Sequence, residues 1–313
     1  MQTLPKPLRG IVPPMVTPLR SHDELDHEGM ERLIEHILSG GVHGLFVLGT
    51  TGEGPSLSYQ IRREVIDGAC KQVNGRVPVL VGITDSAFEE SVNLARHAAD
   101  AGAQGVVLAP PYYFPASQEE LLEYLKHMAP ELPLPLMLYN MPVHTKIMLE
   151  LDTVRRALDI PNVVGVKDSS LNMIYVHKLC RIVGERPDLT LLVGPEELLG
   201  ESVMLGGHGG VNGGANMFPR LYVSLYEAAF EGDLERVREL HDIVVQISST
   251  IYSTGPYGGS SLLMGLKTVL NLEGVCASTL AEPFRQFDSD GRKRIQEHLE
   301  AVKPRIQKAL GAG

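Results

Sequence analysis

The chain of 313 residues has no tryptophan and only three cysteines, Cys70, Cys180 and Cys276. They are scattered, odd in number and free of any CxxC pair, so neither a disulfide framework nor a structural zinc site organises the fold. A reducing, cytoplasmic setting is the expectation. Positive charge is scarce as well: 28 lysines and arginines face 38 acidic residues, a formal net charge of −10. With no basic cluster to offset this, neither nucleic acid nor an anionic membrane is an expected partner. No apolar run approaches the roughly 18 residues of a membrane span, and MQTLPKPLRG at the start lacks an apolar signal core, so neither insertion nor secretion is expected. The eleven histidines never form HExxH or another close ligand pair, which argues against a catalytic metal. GGHGGVNGG (206–214) is glycine-rich but lacks the GK[ST] ending of a phosphate loop.

What the chain does have is an alternation. Short apolar runs recur at 11–16, 44–49, 77–83, 105–110, 135–140, 163–167, 189–194 and 208–212, eight in all. Amphipathic segments such as HEGMERLIEHILSGG and FEESVNLARHAADAG lie between them and end near glycine, where a left-handed cap is accessible. Repeated strand–helix units imply parallel strands covered by helices, and the count of eight favours a closed α/β (β/α)8 TIM barrel over an open doubly wound sheet. From Asp233 the strand runs stop and the pattern becomes helical. Residues 1–232 are therefore read as the barrel and 233–313 as a C-terminal helical extension, too poor in turns to hold a site of its own.

A barrel gathers its functional groups at the C-terminal ends of its strands. Reading only those positions yields Thr50 and Thr51, Tyr112 and Tyr113, Tyr139 and Asn140, Lys167, and Glu196 and Glu197. The stretch NVVGVKDSS is the most informative, because a buried β-branched run ends on Lys167. Desolvation disfavours the ammonium form, and a free amine near neutral pH is what imine chemistry with a ketone or aldehyde requires. Tyr139, ending the preceding strand, is placed to relay protons, and GTTGEGP offers two hydroxyls and close backbone N–H groups to a carboxylate. Singly, each feature has a plainer reading: a strand-end lysine is usually an exposed charge, and a rim tyrosine is usually packing. The constellation carries the argument.

GTTGEGP, PPYYFPASQEE, YNMP, GVKDSS and GGHGGVNGGAN, in this order, resemble the dihydrodipicolinate synthase and N-acetylneuraminate lyase family of pyruvate-dependent class I aldolases. The resemblance spans nearly the whole chain. It implies a TIM barrel with a helical extension, no metal, no organic cofactor beyond the covalent imine, and a homotetramer built as a dimer of tight dimers. It implies Lys167 as the imine-forming lysine and Tyr139 as the proton shuttle, with Thr50 and Thr51 near the pyruvate carboxylate and relay. Tyr113 corresponds to a tyrosine that reaches across the tight dimer into the neighbouring site. Val211 sits where a backbone approaches bound pyruvate.

The chain departs from the synthase pattern where the second substrate is chosen. YNMPVHT places His144 where synthases carry an arginine for the aldehyde's carboxylate, so a planar bidentate clamp is replaced by an imidazole. Glu196 and Glu197 match an acidic pair that contacts sugar hydroxyls in sialic acid lyases, and Ser169 falls where those enzymes have threonine; acids at a helix start also complement the dipole without any ligand. The expected activity is cleavage of a 2-keto-3-deoxy sugar acid or sialic-acid-like substrate to pyruvate and an aldehyde. The alternatives are a dihydrodipicolinate synthase condensing pyruvate with aspartate semialdehyde, a sugar-acid dehydratase, and a keto-acid-binding protein without turnover.

Overall fold

The computed structural model describes residues 3–255 and 258–311; the outer ends of the two segments expected from the sequence lie outside that range. Eight strands carry the barrel: β1 (Gly10–Ile11), β2 (Leu45–Val47), β3 (Val79–Gly82), β4 (Gly105–Leu108), β5 (Leu136–Asn140), β6 (Val163–Asp168), β7 (Thr190–Val193) and β8 (Gly209–Gly210). All are parallel, in the order β1-β8-β7-β6-β5-β4-β3-β2. The two ends of that order meet through a parallel bridge between Pro14 and Phe46. Hydrogen bonds from Met15 N to Phe46 O (2.8 Å) and from Phe46 N to Pro13 O (3.0 Å) close the ring. The eight apolar runs of the sequence are thus the eight staves, most of them shorter than their run, while β6 extends one residue past its run to Asp168.

Eight helices alternate with the strands: α1 (His27–Ser39), α2 (Tyr59–Val73), α3 (Phe88–Ala101), α4 (Gln118–Glu131), α5 (Leu151–Ala157), α6 (Met173–Gly184), α7 (Leu199–Met204) and α8 (Pro219–Glu231). Four of them start on a side-chain cap, Asp26 at α1, Ser58 at α2, Ser117 at α4 and Asn172 at α6, and Ser117 forms a reciprocal capping box with Glu120. Gly102 and Gly232 end α3 and α8 in the left-handed conformation, but α1 ends on right-handed Gly40 and the turn passes to Gly41. Local periodicity did not indicate an antiparallel ribbon, Leu19–Ser21 against Glu24–Leu25, which lies between β1 and α1.

Two apolar layers result. The larger lies between strands and helices. The smaller fills the barrel, with Leu4 and Leu8 from the N-terminal segment packed with Phe46, Leu80, Val107, Met137, Tyr139, Val164, Leu192 and Val211. Leu8 N is tied to Thr190 Oγ1 at 2.9 Å, which holds that segment in place. A packed interior with no channel is the ordinary state of this architecture, so a reactive group must lie at an end of the barrel.

After Asp233 come α9 (Leu234–Thr250), α10 (Ser260–Leu272) and α11 (Ser289–Leu310). They do not stand off the barrel: α9 and α11 both pack on α8, and α10 contacts the 3-10 turn Gly213–Asn216 that follows β8. No helix among the described residues is long and apolar enough to cross a membrane.

Candidate active site

Strands β5 and β6 pair with Tyr139 opposite Lys167 and Asn140 opposite Asp168, so the two YN/KD dipeptides end side by side. Lys167 is only 3% exposed, and its Nζ lies 3.9 Å from the centre of the Tyr139 ring and 4.8 Å from that of Phe46. Removal from water pushes the lysine pKa below its ordinary value, opposed by the neighbouring Tyr139. The Tyr139 hydroxyl in turn lies 3.2 Å from Thr50 Oγ1. A desolvated amine, a phenol and an alcohol therefore form one connected set above the apolar barrel interior.

Thr50 is delivered by the GTTGEGP loop, whose shape is set by close backbone approaches. A Cβ on Gly54 would lie 2.2 Å from Leu48 O, so only glycine fits there. Leu48 and Glu53 both adopt left-handed backbone, φ 59° and 56°, a conformation that side-chain-bearing residues keep only when their surroundings enforce it. On one side, Thr17 Oγ1 donates to Gly52 O at 2.7 Å. On the other, the Glu53 carboxylate accepts from Ala281 N at 2.8 Å and pairs with the Nζ of Lys267, which also donates to Thr279 O at 2.6 Å. Arg62, buried against Asp85 at 3.0 Å, donates to Pro55 O at the end of the loop and to Leu57 O just past it.

Beside Lys167 and Tyr139, Asn140 Nδ2 donates to Asp168 Oδ1 at 2.7 Å, and its Oδ1 accepts from Leu149 N at 3.0 Å. Ser170 donates its hydroxyl and its N–H to Asp168 Oδ2. Burial raises the Asp168 pKa, and these donors oppose that effect. Among the described residues no group of three or more His, Cys, Asp or Glu side chains could hold a metal ion.

Of the residues the sequence singles out, the structure joins Lys167, Tyr139 and Thr50 directly, and packs Val211 in the same interior layer as Tyr139. Thr51 is half-buried beside Thr50, and Ser169 is buried one residue past Asp168, its N–H donating to Asn140 O at 2.8 Å. His144 is exposed in the four-residue helical turn after β5, where partial desolvation and the charge of Lys146 lower its pKa. Tyr113 stands apart within its own chain, 74% exposed and packed edge-on against Phe114.

Glu196 and Glu197, matched by resemblance to a sugar-contacting pair, are placed differently from each other. Glu196 is buried, with one carboxylate oxygen accepting from Tyr222 OH at 2.5 Å and the other from Gly214 N at 2.9 Å. Desolvation pushes its pKa up to about 7. Glu197 is half-buried beside it. The physical reason is α8: Tyr222 is fully buried and aims its hydroxyl at the turn after β7, a long-range contact that local sequence does not announce.

The residues that sequence reasoning missed are Glu53, Lys267, Arg62 and Asp85. Lys267 did leave a signal, a lone charge in the apolar helical run SSLLMGLKTVLNL.

Known proteins similar to this chain point to one family. The model of the dihydrodipicolinate synthetase family matches residues 7–302. The chain is 35% identical over 295 residues to an uncharacterized DapA-like lyase of Halobacterium salinarum, covering 94% of each sequence. It is similar to a solved dihydrodipicolinate synthase of Bacteroides thetaiotaomicron, with 54% identity, a TM-score of 0.92, and 96% and 100% of the two chains covered. It is also similar to YagE, a prophage protein of E. coli K12 solved in complex with pyruvate, with 30% identity, a TM-score of 0.89, and 94% and 98% covered.

Proposed function

The chain belongs to the dihydrodipicolinate synthetase family of class I pyruvate-dependent aldolases and lyases, and on that premise we propose that it makes or breaks a carbon–carbon bond through an imine on Lys167. The observation that carries this reading is the buried Lys167 amine against the Tyr139 ring, with the Tyr139 hydroxyl 3.2 Å from Thr50.

In the cleavage direction, the Lys167 amine adds to the C2 carbonyl of the keto acid, and loss of water gives the iminium. The C4 hydroxyl gives up its proton toward Tyr139, the C3–C4 bond breaks, and its electron pair enters the iminium to leave an enamine and a free aldehyde. Protonation at C3 and hydrolysis release pyruvate and restore the amine. Tyr139 and Thr50 move the protons. The iminium is the electron sink, so this chemistry needs neither metal nor organic cofactor. Thr51 and the backbone at Val211 complete the pocket for the pyruvate end. Tyr113, exposed in its own chain, is assigned to the site of a neighbouring copy, which goes with a homotetramer of tight dimers.

For the other substrate we favour a 2-keto-3-deoxy sugar acid. His144 offers an imidazole with a lowered pKa and no guanidinium, which suits hydroxyl recognition better than a second carboxylate. Sugar contacts then fall to Ser169 and Glu197, since Glu196 is engaged with Tyr222 and Gly214. The synthase reading is supported by the 54% identity to the Bacteroides thetaiotaomicron protein of that name.

Intact-mass spectrometry after borohydride reduction tests both readings. Pyruvate should add an N-(1-carboxyethyl) group to the wild type and none to Lys167→Ala. The same adduct formed from a 2-keto-3-deoxy sugar acid alone supports cleavage. Discharge of the pyruvate imine by aspartate semialdehyde only would establish the synthase, and an adduct on Lys167→Ala would overturn the mechanism.

A further inference from the structure

We propose that Glu53 and Lys267 are positioning residues: their ion pair, joining the C-terminal extension to the GTTGEGP loop, fixes the Thr50 hydroxyl against Tyr139. The inference rests on the imine reading of the site and adds two residues to it.

Four observations converge. The side chains of Glu53 and Lys267 have no exposure at all. Burying opposite charges is expensive unless both are well partnered, and apolar residues of similar volume would serve packing as well, so an ion pair here calls for a reason beyond cohesion. Second, Glu53 and Leu48 bracket the loop in left-handed backbone, which persists only where side chains over-determine it. Third, the tether on Glu53 is multiple: Lys267 comes from α10, and Ala281 N, 228 residues away in sequence, comes from the segment beyond it. Lys267 is itself fixed by Thr279 O. Fourth, the link continues into the reactive set, because Glu53 N donates to Thr50 O at 3.0 Å and Thr50 Oγ1 meets Tyr139 OH at 3.2 Å. With Thr17 holding Gly52 from the barrel side, the loop is clamped between the segment that follows β1 and the extension. Moving the Glu53 anchor shifts Thr50 off the relay while leaving Lys167 and Tyr139 on their strands.

A double-mutant cycle separates positioning from general stability. The paired variant Glu53→Gln with Lys267→Met removes both charges together and leaves no lone buried ion. It is combined with Thr50→Val, and the rate of borohydride-trapped pyruvate adduct on Lys167 is measured for all four proteins. Thr50→Val should slow trapping roughly tenfold in the wild type and less than about twofold in the paired variant, which is itself about tenfold slow. Effects that multiply independently, with only the melting temperature lowered by the paired variant, would overturn the proposal. If the paired variant does not fold, Glu53→Gln alone carries the same cycle. If the wild type forms no adduct, the imine reading has failed, and amide exchange of residues 48–54 decides the positioning claim: exchange roughly tenfold faster in the variant supports it, and unchanged exchange sinks it.

Discussion

Tyr139 and Lys167 are register partners on adjacent strands, and the lysine Nζ rests 3.9 Å from the centre of the tyrosine ring. This arrangement performs two tasks with one contact. The ring face removes the amine from water, which favours its free-base form, and the ring's hydroxyl lies within hydrogen-bond reach of Thr50. Parallel pairing fixes the two residues relative to each other without any loop between them.

Tyr139→Phe keeps the ring against Lys167 and removes only the hydroxyl. Folding and melting temperature should change little, while adduct formation with pyruvate should fall by about 10²-fold or more, the usual scale for a lost general acid–base group. Stopped trapping with borohydride measures the rate directly. A Phe variant that traps pyruvate at the wild-type rate would remove Tyr139 from the mechanism.

The same burial predicts a pH profile. The folded pKa of Lys167 lies below the ordinary 10.5, so adduct formation should rise with pH through that lowered value and level off before 10.5. Between those two values the unfolded chain holds a proton that the folded chain has lost, so stability should also rise with pH. Lys167→Met should abolish trapping and remove this lysine's share of the stability slope. Trapping rates and urea midpoints from pH 6 to about 10.5 check the two together; a rate inflection at or above 10.5 contradicts the desolvated amine.

Asn140 is fully buried and joins three chain segments through Asp168 Oδ1 and Leu149 N. Asn140→Ala leaves part of a buried carboxyl and one buried N–H unpaired, so a loss of roughly 2–3 kcal/mol is expected. Adduct formation should slow as well, because Asp168 follows Lys167 directly. Equilibrium unfolding gives the first quantity and trapping the second. A stable variant with normal trapping would show that water or another donor replaces the amide.

The barrel, and a buried strand-end lysine beside a tyrosine, were legible because each is written in a local pattern. Eight apolar runs give eight strands, and VVGVK places a charge where a strand leaves the core. The parts that were not legible are long-range. Lys267 reads locally as one charge on an otherwise apolar helix, and nothing in its neighbourhood names Glu53 as its partner. Glu196 reads as an acid at a helix start, yet Tyr222 from α8 and Gly214 after β8 draw it inside. Periodicity reports which face of an element is buried; it does not report which polar group waits on the other side.

Glu196 gives the last prediction, and its sign is opposite to that of a surface carboxylate. Desolvation is the leading cause of its shift from 4.5 up to about 7, with the Tyr222 and Gly214 hydrogen bonds opposing it. In the window between those values the folded protein holds a proton that the unfolded chain has released, so this group destabilises the fold progressively as pH rises through the window. Above about 7 the loss should level off, at up to roughly 3 kcal/mol. Glu196→Gln keeps a carbonyl oxygen to accept from Tyr222 or Gly214 and cannot ionise, so it should match the wild type near pH 5 and exceed it in stability at pH 8. Urea unfolding at those two pH values measures the difference. Equal stability of the two proteins at pH 8 would mean that the carboxylate is accommodated by Tyr222 and Gly214 without penalty, and that the burial of Glu196 places no pH limit on this barrel.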